Sequence, residues 1–400
     1  MRNFGLKSAL AAAAFVSPFV LAGAVQADAL TTPAMSGPLA ANPNPYSIDL
    51  PDWLGDAGGK VYVTGAVTGL AFWQSNPAFN FLPFKQDNDS LLDLSNGQLF
   101  IQKTDGWLQF YAQFGVYSMP TVGVPYTKAT TVDPASFGYV PVAYAKLQGE
   151  GSWSAFSLQG GKLPTLIGDE YTFTFENMNI ERGLLWNVEP AISTGIQGNY
   201  SNGPLTVSLA WNDGTYAKTW NWLSGLVSYG FNGGADIVAF SAGGNLGSGN
   251  FSALNSGSVY DLIWTHTSGN WVISPYIQYN DTPKFGTAKG SSVFGAAILA
   301  SYAFDDHWKL AGRFEYETES GHQNDFSTPD IIGYGPGSNA FSFTITPTYQ
   351  WKQLFGRAEL SYISVGSGSD CFLFGTDSGC EVGGNKSDQV RLMFETGILL

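Results

Sequence analysis

One segment of this chain concentrates charged side chains of a single sign. Between Leu163 and Ala191 there are five carboxylates and one base; the acids are Asp169, Glu170, Glu176, Glu181 and Glu189, and the base is Arg182. Charged side chains at a narrow point of a water-filled passage favour ions of the opposite sign. We therefore expect this segment to attract cations, provided that the remaining chain builds a passage around it.

Residues suited to catalysis are sparse. The three histidines, His266, His307 and His322, form no HExxH motif and no clustered metal-ligand spacing. A hydrolase would need a histidine beside its nucleophile, and His266 is better interpreted as an aromatic residue at a membrane interface. The glycine-rich stretches lack the GxxxxGK[ST] phosphate-binding pattern. The sequence therefore predicts no enzyme, no cofactor and no metal site.

Two cysteines, Cys371 and Cys380, are the only ones in the chain. Neighbouring cysteines in an oxidising compartment usually pair, so we predict a disulfide between them. The alternative is a pair of free thiols that bind metal. That alternative lacks the additional histidine or cysteine ligands that zinc requires.

The elements that would position these residues are β-strands. The final segment, Val390–Leu400, alternates apolar and polar residues, which is the period-two pattern of a strand with two different faces. Sixteen such segments lie between residues 60 and 400, and eight long connections alternate with seven short turns. This pattern predicts an all-β fold: a closed antiparallel transmembrane β-barrel of 16 strands, with 18 as the alternative count. A soluble β-sandwich or β-solenoid is the competing architecture.

The chain begins with the features of a secretory signal. Basic residues Arg2 and Lys7 precede an apolar stretch with small residues before Ala27, so we expect a signal peptide over residues 1–27. Residues 28–57 are rich in proline and predict a flexible periplasmic segment, which leaves residues 58–400 for the barrel. Removing the signal leaves 16 basic and 32 acidic residues, a net charge of −16, which argues against a nucleic-acid partner.

Strand parity places three more arginines inside the barrel. Arg313, Arg357 and Arg391 alternate with lipid-facing apolar residues, and an arginine facing lipid at the midplane would cost about 2–4 kcal/mol. We predict that the third long loop folds inward and that its acids face this basic wall at a constriction. The predicted constriction residues are Asp169, Glu170, Glu176, Glu181, Arg182, Arg313, Arg357 and Arg391.

Several segments resemble the OmpL-like β-barrel porins. They are Gly161–Gly168, Asn177–Trp186 and Glu189–Pro190 in the centre, Trp211–Gly214, and the closing stretch Arg391–Gly397. The resemblance implies a channel for small hydrophilic solutes in the outer membrane of a Gram-negative bacterium, surrounded by outer-membrane lipids. By analogy with other sixteen-stranded porins, it also implies a possible homotrimer.

These observations together predict a porin. Barrels of about 16 to 18 strands enclose an aqueous channel, so we expect passive diffusion of ions and small hydrophilic solutes, with a modest preference for cations. The alternative is a structural or adhesive outer-membrane barrel whose lumen is blocked.

Overall fold

A computed structural model describes residues 38–80, 85–131, 136–247, 253–284, 286–376, 379–380 and 383–400. The predicted signal peptide, residues 1–27, lies outside this range. No helix in the described part of the chain is long and apolar enough to span a membrane.

Sixteen antiparallel strands form the barrel. They are β2 Lys60–Gln74, β5 Ser90–Lys103, β6 Leu108–Tyr117, β7 Ala143–Gln148, β8 Phe156–Pro164, β9 Ile192–Asn202, β10 Leu205–Asn212, β11 Trp222–Phe231, β12 Asp236–Asn245, β13 Ser258–Ser268, β14 Trp271–Thr282, β15 Ser291–Ala303, β16 Trp308–Glu319, β17 Asn339–Trp351, β18 Leu354–Gly366 and β19 Asp388–Leu399. The strand count is sixteen, as predicted, and not the alternative of eighteen.

The barrel closes between its first and last long strands. β19 pairs with β2 in the register Arg391 opposite Gln74 and Leu399 opposite Ala66. One step further, the backbone N–H of Leu400 donates to the carbonyl of Gly65 at 2.7 Å, and Gly65 donates in return at 3.1 Å. Every barrel strand therefore has a partner on both sides, which satisfies the backbone groups that lipid cannot.

The two faces of the strands differ as the alternation predicts. On β17, Phe341 and Phe343 are exposed on the outer surface, whereas Ser342 between them and Thr344 after them are fully buried inside. Tryptophans beside the short turns form an exposed outer girdle: Trp107, Trp153, Trp271, Trp308 and Trp351. Indole rings favour the boundary between acyl chains and headgroups, so this girdle marks one edge of the membrane.

Seven short turns alternate with eight longer loops around the barrel. We number the loops L1 (75–89), L2 (118–142), L3 (165–191), L4 (213–221), L5 (246–257), L6 (283–290), L7 (320–338) and L8 (367–387). L1 contains the short hairpin β3 Phe79–Asn80 and β4 Lys85–Gln86, and L5 contains helix α1 Ala253–Ser256. The 3-10 helices of the described chain are Asp52–Ala57, Gly151–Trp153, Thr174–Glu176, Leu185–Val188 and Asn232–Gly234. In L8, Cys371 and Cys380 form the predicted disulfide.

The described part of the N-terminal segment is ordered against the barrel, where the sequence predicted a flexible lead-in. Strand β1, Tyr46–Asp49, pairs with the start of β2, in the position that β19 leaves vacant. Leu39 is fully buried inside the barrel. The physical reason is that the edge of β2 beyond Leu400 offers unpaired backbone groups, and the preceding chain satisfies them.

Candidate functional site

L3 folds into the barrel, as predicted. All residues from Thr172 to Leu185 are buried, and the loop lies against the inner faces of β16 to β19. The contacts are made by charged groups, which require partners when they leave water. The strands position these partners rigidly because inward side chains repeat every second residue along a paired strand.

Arg313 on β16 joins L3 to the barrel wall. Its Nη1 lies 2.6 Å from the carboxylate of Glu170 and donates to the carbonyl of Glu181 at 2.7 Å. Its Nε lies 3.1 Å from Glu315 on the same strand. The Glu315 carboxylate in turn accepts from the backbone N–H groups of Leu184 and Leu185 at 3.0 and 3.3 Å.

Arg391 on β19 makes the second charged contact. It forms a salt bridge with Glu181 and donates to the side-chain oxygen of Gln74 on β2 at 2.9 and 2.7 Å. On β18, Glu359 accepts from the backbone N–H groups of Ile180 and Glu181, at 2.5 and 2.8 Å. The tip of L3 is therefore held through both its side chains and its backbone.

Arg357 on β18 completes the basic wall. Its Nε and Nη2 lie 2.8 and 2.6 Å from one oxygen of Glu395, and Nη2 also donates to the carbonyl of Thr174 in L3 at 2.6 Å. The other oxygen of Glu395 accepts from the Thr174 hydroxyl at 2.6 Å. The carboxylate and the guanidinium thus clamp the 3-10 turn of L3 between them.

Arg182 faces away from this wall and binds L2. Its guanidinium donates to the carbonyls of Pro120 and Thr172, and its plane lies 5.4 Å from the ring of Trp186. The backbone N–H of Val122 in L2 donates to the carbonyl of Arg182 at 3.0 Å. L3 therefore lies between the barrel wall and a second inward loop.

The other two predicted acids have different surroundings. Glu176 accepts from the backbone N–H of Phe173 at 3.2 Å and caps the 3-10 turn. Asp169 is only partly buried and is adjacent to Gly168. Of the predicted constriction residues, Glu170, Glu181, Arg313 and Arg391 meet in direct ion pairs, and Arg357 pairs with Glu395 on the neighbouring strand.

Sequence reasoning overlooked several residues of this site. L2 supplies the backbone carbonyl of Pro120 to Arg182, and no side-chain pattern in the sequence could reveal this. Asp261 on the inner face of β13 accepts from the backbone N–H of Gly168 in L3 at 3.0 Å. Its inward parity, opposite the outward Tyr260 and Leu262, was the available signal.

Apolar side chains pack above the charged contacts. Val122 of L2, Leu184 and Met178 of L3, Ile332 of L7 and Phe374 of L8 are buried in one cluster with inward wall residues. Ala78 of L1 belongs to the same cluster, so five of the loops share a core inside the barrel. Such a core fixes the path of L3, because each loop excludes water from the next.

The sequence matches the family described as "Putative beta-barrel porin-2, OmpL-like" over residues 60–400. The chain belongs to this family. No curated protein matches the sequence. The match spans the whole barrel, including L3 and all four arginines described above.

Solved outer-membrane proteins share the fold at low sequence identity. A trimer form of OmpT from Vibrio cholerae is 10% identical, with a TM-score of 0.53, over 85% of this chain and 99% of that one. An anion-selective porin from Comamonas acidovorans is 12% identical, with a TM-score of 0.55, over 85% and 99%. The outer membrane channel DcaP of Acinetobacter baumannii is 9% identical, with a TM-score of 0.53, over 84% and 97%. At these identities the likeness concerns the fold.

Proposed function

We propose that this protein is a porin of a Gram-negative outer membrane that passes ions and small hydrophilic solutes by diffusion, with a modest preference for cations. Its partners are then outer-membrane lipids and the permeating solutes. The family and the sixteen-stranded barrel support the general function. The preference rests on the charges around L3.

Acids outnumber bases around this loop. L3 and the inward faces of β13, β16, β18 and β19 carry eleven carboxylates, against four guanidiniums and Lys309. The carboxylates are Asp169, Glu170, Glu176, Glu181, Glu189, Asp261, Glu315, Glu317, Glu319, Glu359 and Glu395, and the guanidiniums are Arg182, Arg313, Arg357 and Arg391. A negative excess in a low-dielectric passage raises the local cation concentration. A solved neighbour is anion-selective by its title, but likeness of fold does not transfer selectivity, which depends on lumen residues.

Single-channel recording in planar bilayers tests the proposal. We expect discrete conducting steps from wild-type protein and a reversal potential in a salt gradient that indicates cation preference. Asp169→Asn should shift this potential toward anions, because Asp169 is the partly exposed acid of L3 and has no ion pair among the described residues.

Asp305→Asn is the matched control, since it makes the same charge change in an exposed short turn between β15 and β16. An equal shift in both variants would show that overall charge, and not L3, sets selectivity. Folded protein that never conducts would contradict the porin function itself.

A structural or adhesive barrel with a blocked lumen is the second candidate. One observation favours it: L1, L2, L3, L7 and L8 share a buried apolar core inside the barrel. Absence of conductance from folded protein would support this candidate.

Two organisational proposals accompany the function. Residues 1–27 act as a cleaved signal peptide, residues 28–57 lie on the periplasmic side and 58–400 form the barrel.

The protein assembles as a homotrimer, which the trimer form of the OmpT neighbour supports by analogy.

A further inference from the structure

Two buried carboxylates meet on the side of L3 that faces away from the arginine wall. Asp261 on β13 accepts from the N–H of Gly168 at 3.0 Å. Glu189, near the end of L3, occupies the space beside the same glycine: a Cβ on Gly168 would lie 1.8 Å from the Oε2 atom of Glu189. Gly168 has a φ of +86°, so glycine is required here for both its conformation and its lack of a side chain.

Gln278 on β14 links the two acids. Its Nε2 donates to Oε1 of Glu189 at 2.6 Å, and Gln278 is the direct cross-strand partner of Asp261 on β13. Asn280, two residues further on the same inward face, donates to the carbonyl of Val188 at 2.8 Å. All four side chains are at least nine-tenths buried.

The arrangement leaves oxygen atoms without a donor. The orphaned acceptors are Oδ1 of Asp261, Oε2 of Glu189, Oε1 of Gln278 and Oδ1 of Asn280. Oε1 of Gln278 belongs to the carboxamide that donates to Glu189, so it lies close to that acid. Among the described residues neither carboxylate forms a salt bridge, in contrast to Glu170, Glu181 and Glu395, which pair with arginines.

A bound cation would account for this geometry. Two like charges that share a dry site repel each other and have lost hydration, so they need a positive charge nearby. Carboxylate and amide oxygens are the ligands that hard divalent cations prefer, Ca²⁺ above all because it tolerates irregular coordination. No three His, Cys, Asp or Glu side chains converge in the part of the chain described, which disfavours zinc.

We propose that Asp261, Glu189, Gln278 and Asn280 form a binding site for a divalent cation such as Ca²⁺. The bound ion links the C-terminal end of L3 to β13 and β14. The arginines bind the centre of L3 to β16 to β19. The partly exposed Asp169 beside Gly168 gives the ion a route from the lumen.

Isothermal titration of CaCl₂ into chelator-treated, folded protein in detergent tests this site without requiring conductance. We expect saturable binding to the wild type and at least tenfold weaker binding to Glu189→Gln and to Asp261→Asn. Glu317→Gln is the matched control, because Glu317 is an equally buried inward acid on β16 with an orphaned oxygen. It should bind like the wild type.

Three results would overturn the proposal. The first is that folded wild-type protein shows no saturable Ca²⁺ binding, which would mean that the two acids share a proton or are hydrated. The second is that both site variants bind Ca²⁺ as tightly as the wild type. The third is that Glu317→Gln loses as much Ca²⁺ affinity as the site variants do. Retained heat-modifiable mobility on gels establishes that each variant is folded. Terbium luminescence provides a second binding measurement should calcium heats be too small.

Discussion

Arg313 illustrates how the charges inside this barrel depend on one another. Its guanidinium lies within 2.6 Å of Glu170 and 3.1 Å of Glu315, and all three side chains are buried. A buried ion pair adds little net stability compared with an apolar pair, yet loss of one partner leaves the other charge uncompensated. We therefore expect these pairs to position L3 more than to stabilise the barrel.

Replacing one partner of the Arg313–Glu170 pair should show how much the remaining charge costs. We expect Arg313→Met to lower the free energy of unfolding by about 3–5 kcal/mol, because it leaves the buried carboxylates of Glu170 and Glu315 without a positively charged partner. Glu170→Gln should cost less, since the amide oxygen still accepts a hydrogen bond from Arg313. Urea unfolding in detergent or lipid, followed by tryptophan fluorescence, measures both. Equal effects would mean that Arg313 does not depend on its acidic partners.

Parity predicted which residues point inward but not what they contact. Arg313, Arg357 and Arg391 face the lumen as the alternation required, because a one-residue slip would expose them to lipid. The pairing of Arg313 with Glu170 and of Arg391 with Glu181 depends on the path of L3, which has no sequence period. Arg357 and Glu395, in contrast, are direct cross-strand partners on β18 and β19. Position along the barrel axis also depends on strand tilt, which the sequence does not encode locally.

At the scale of elements, the N-terminal segment is the least expected feature. Ala40 exchanges two hydrogen bonds with the side-chain amide of Gln350 on β17, both at 2.8 Å. Lys309 on β16 donates to the carbonyl of Pro38. Leu39 packs in a buried cluster with Phe173 and Phe175 of L3. The segment thus lies beneath L3 at the end of the lumen that carries the short turns.

Deletion of residues 28–44 should increase single-channel conductance, because residues 38–40 of this segment lie inside the lumen and β1 is kept. Gln350→Ala removes the anchoring amide without shortening the chain, and it should cause a smaller increase or more frequent fluctuations. Recordings in planar bilayers at fixed salt compare both with the wild type. Identical conductance in all three proteins would show that the segment lies outside the conducting path.

The sequence predicted no structure in this segment because its prolines lack any period. The N-terminal segment is ordered because part of the edge of β2 has no partner in the barrel. β19 ends at Leu399, so the edge of β2 from Lys60 to Val63 pairs with β1. Such an edge becomes visible only when strand registers are known. The inward path of L3, in contrast, was predictable from its length and its acids.

At the scale of the whole molecule, the alternation of long loops and short turns determined the strand count and topology before any contact was known. Small outward side chains interrupt the aromatic outer surface in more than one place. β7 and β8 place Ala145 opposite Gly160, next to the exposed pair Leu147 and Leu158. β15 and β16 likewise place Ala300 opposite Gly312. Small side chains permit the close approach of another protein surface, where lipid would otherwise pack.

We therefore expect β7 and β8 to lie in the homotrimer interface. Ala145→Trp should convert trimers to monomers in mild detergent, because the indole prevents close contact between copies. Ala296→Trp, on β15 at the opposite side of the sixteen-stranded barrel, makes the same change at an outward position that remains in lipid. Light scattering coupled to size-exclusion chromatography gives the mass of each. A monomeric wild type would refute the trimer, and dissociation by Ala296→Trp instead would place the interface on the side of β15.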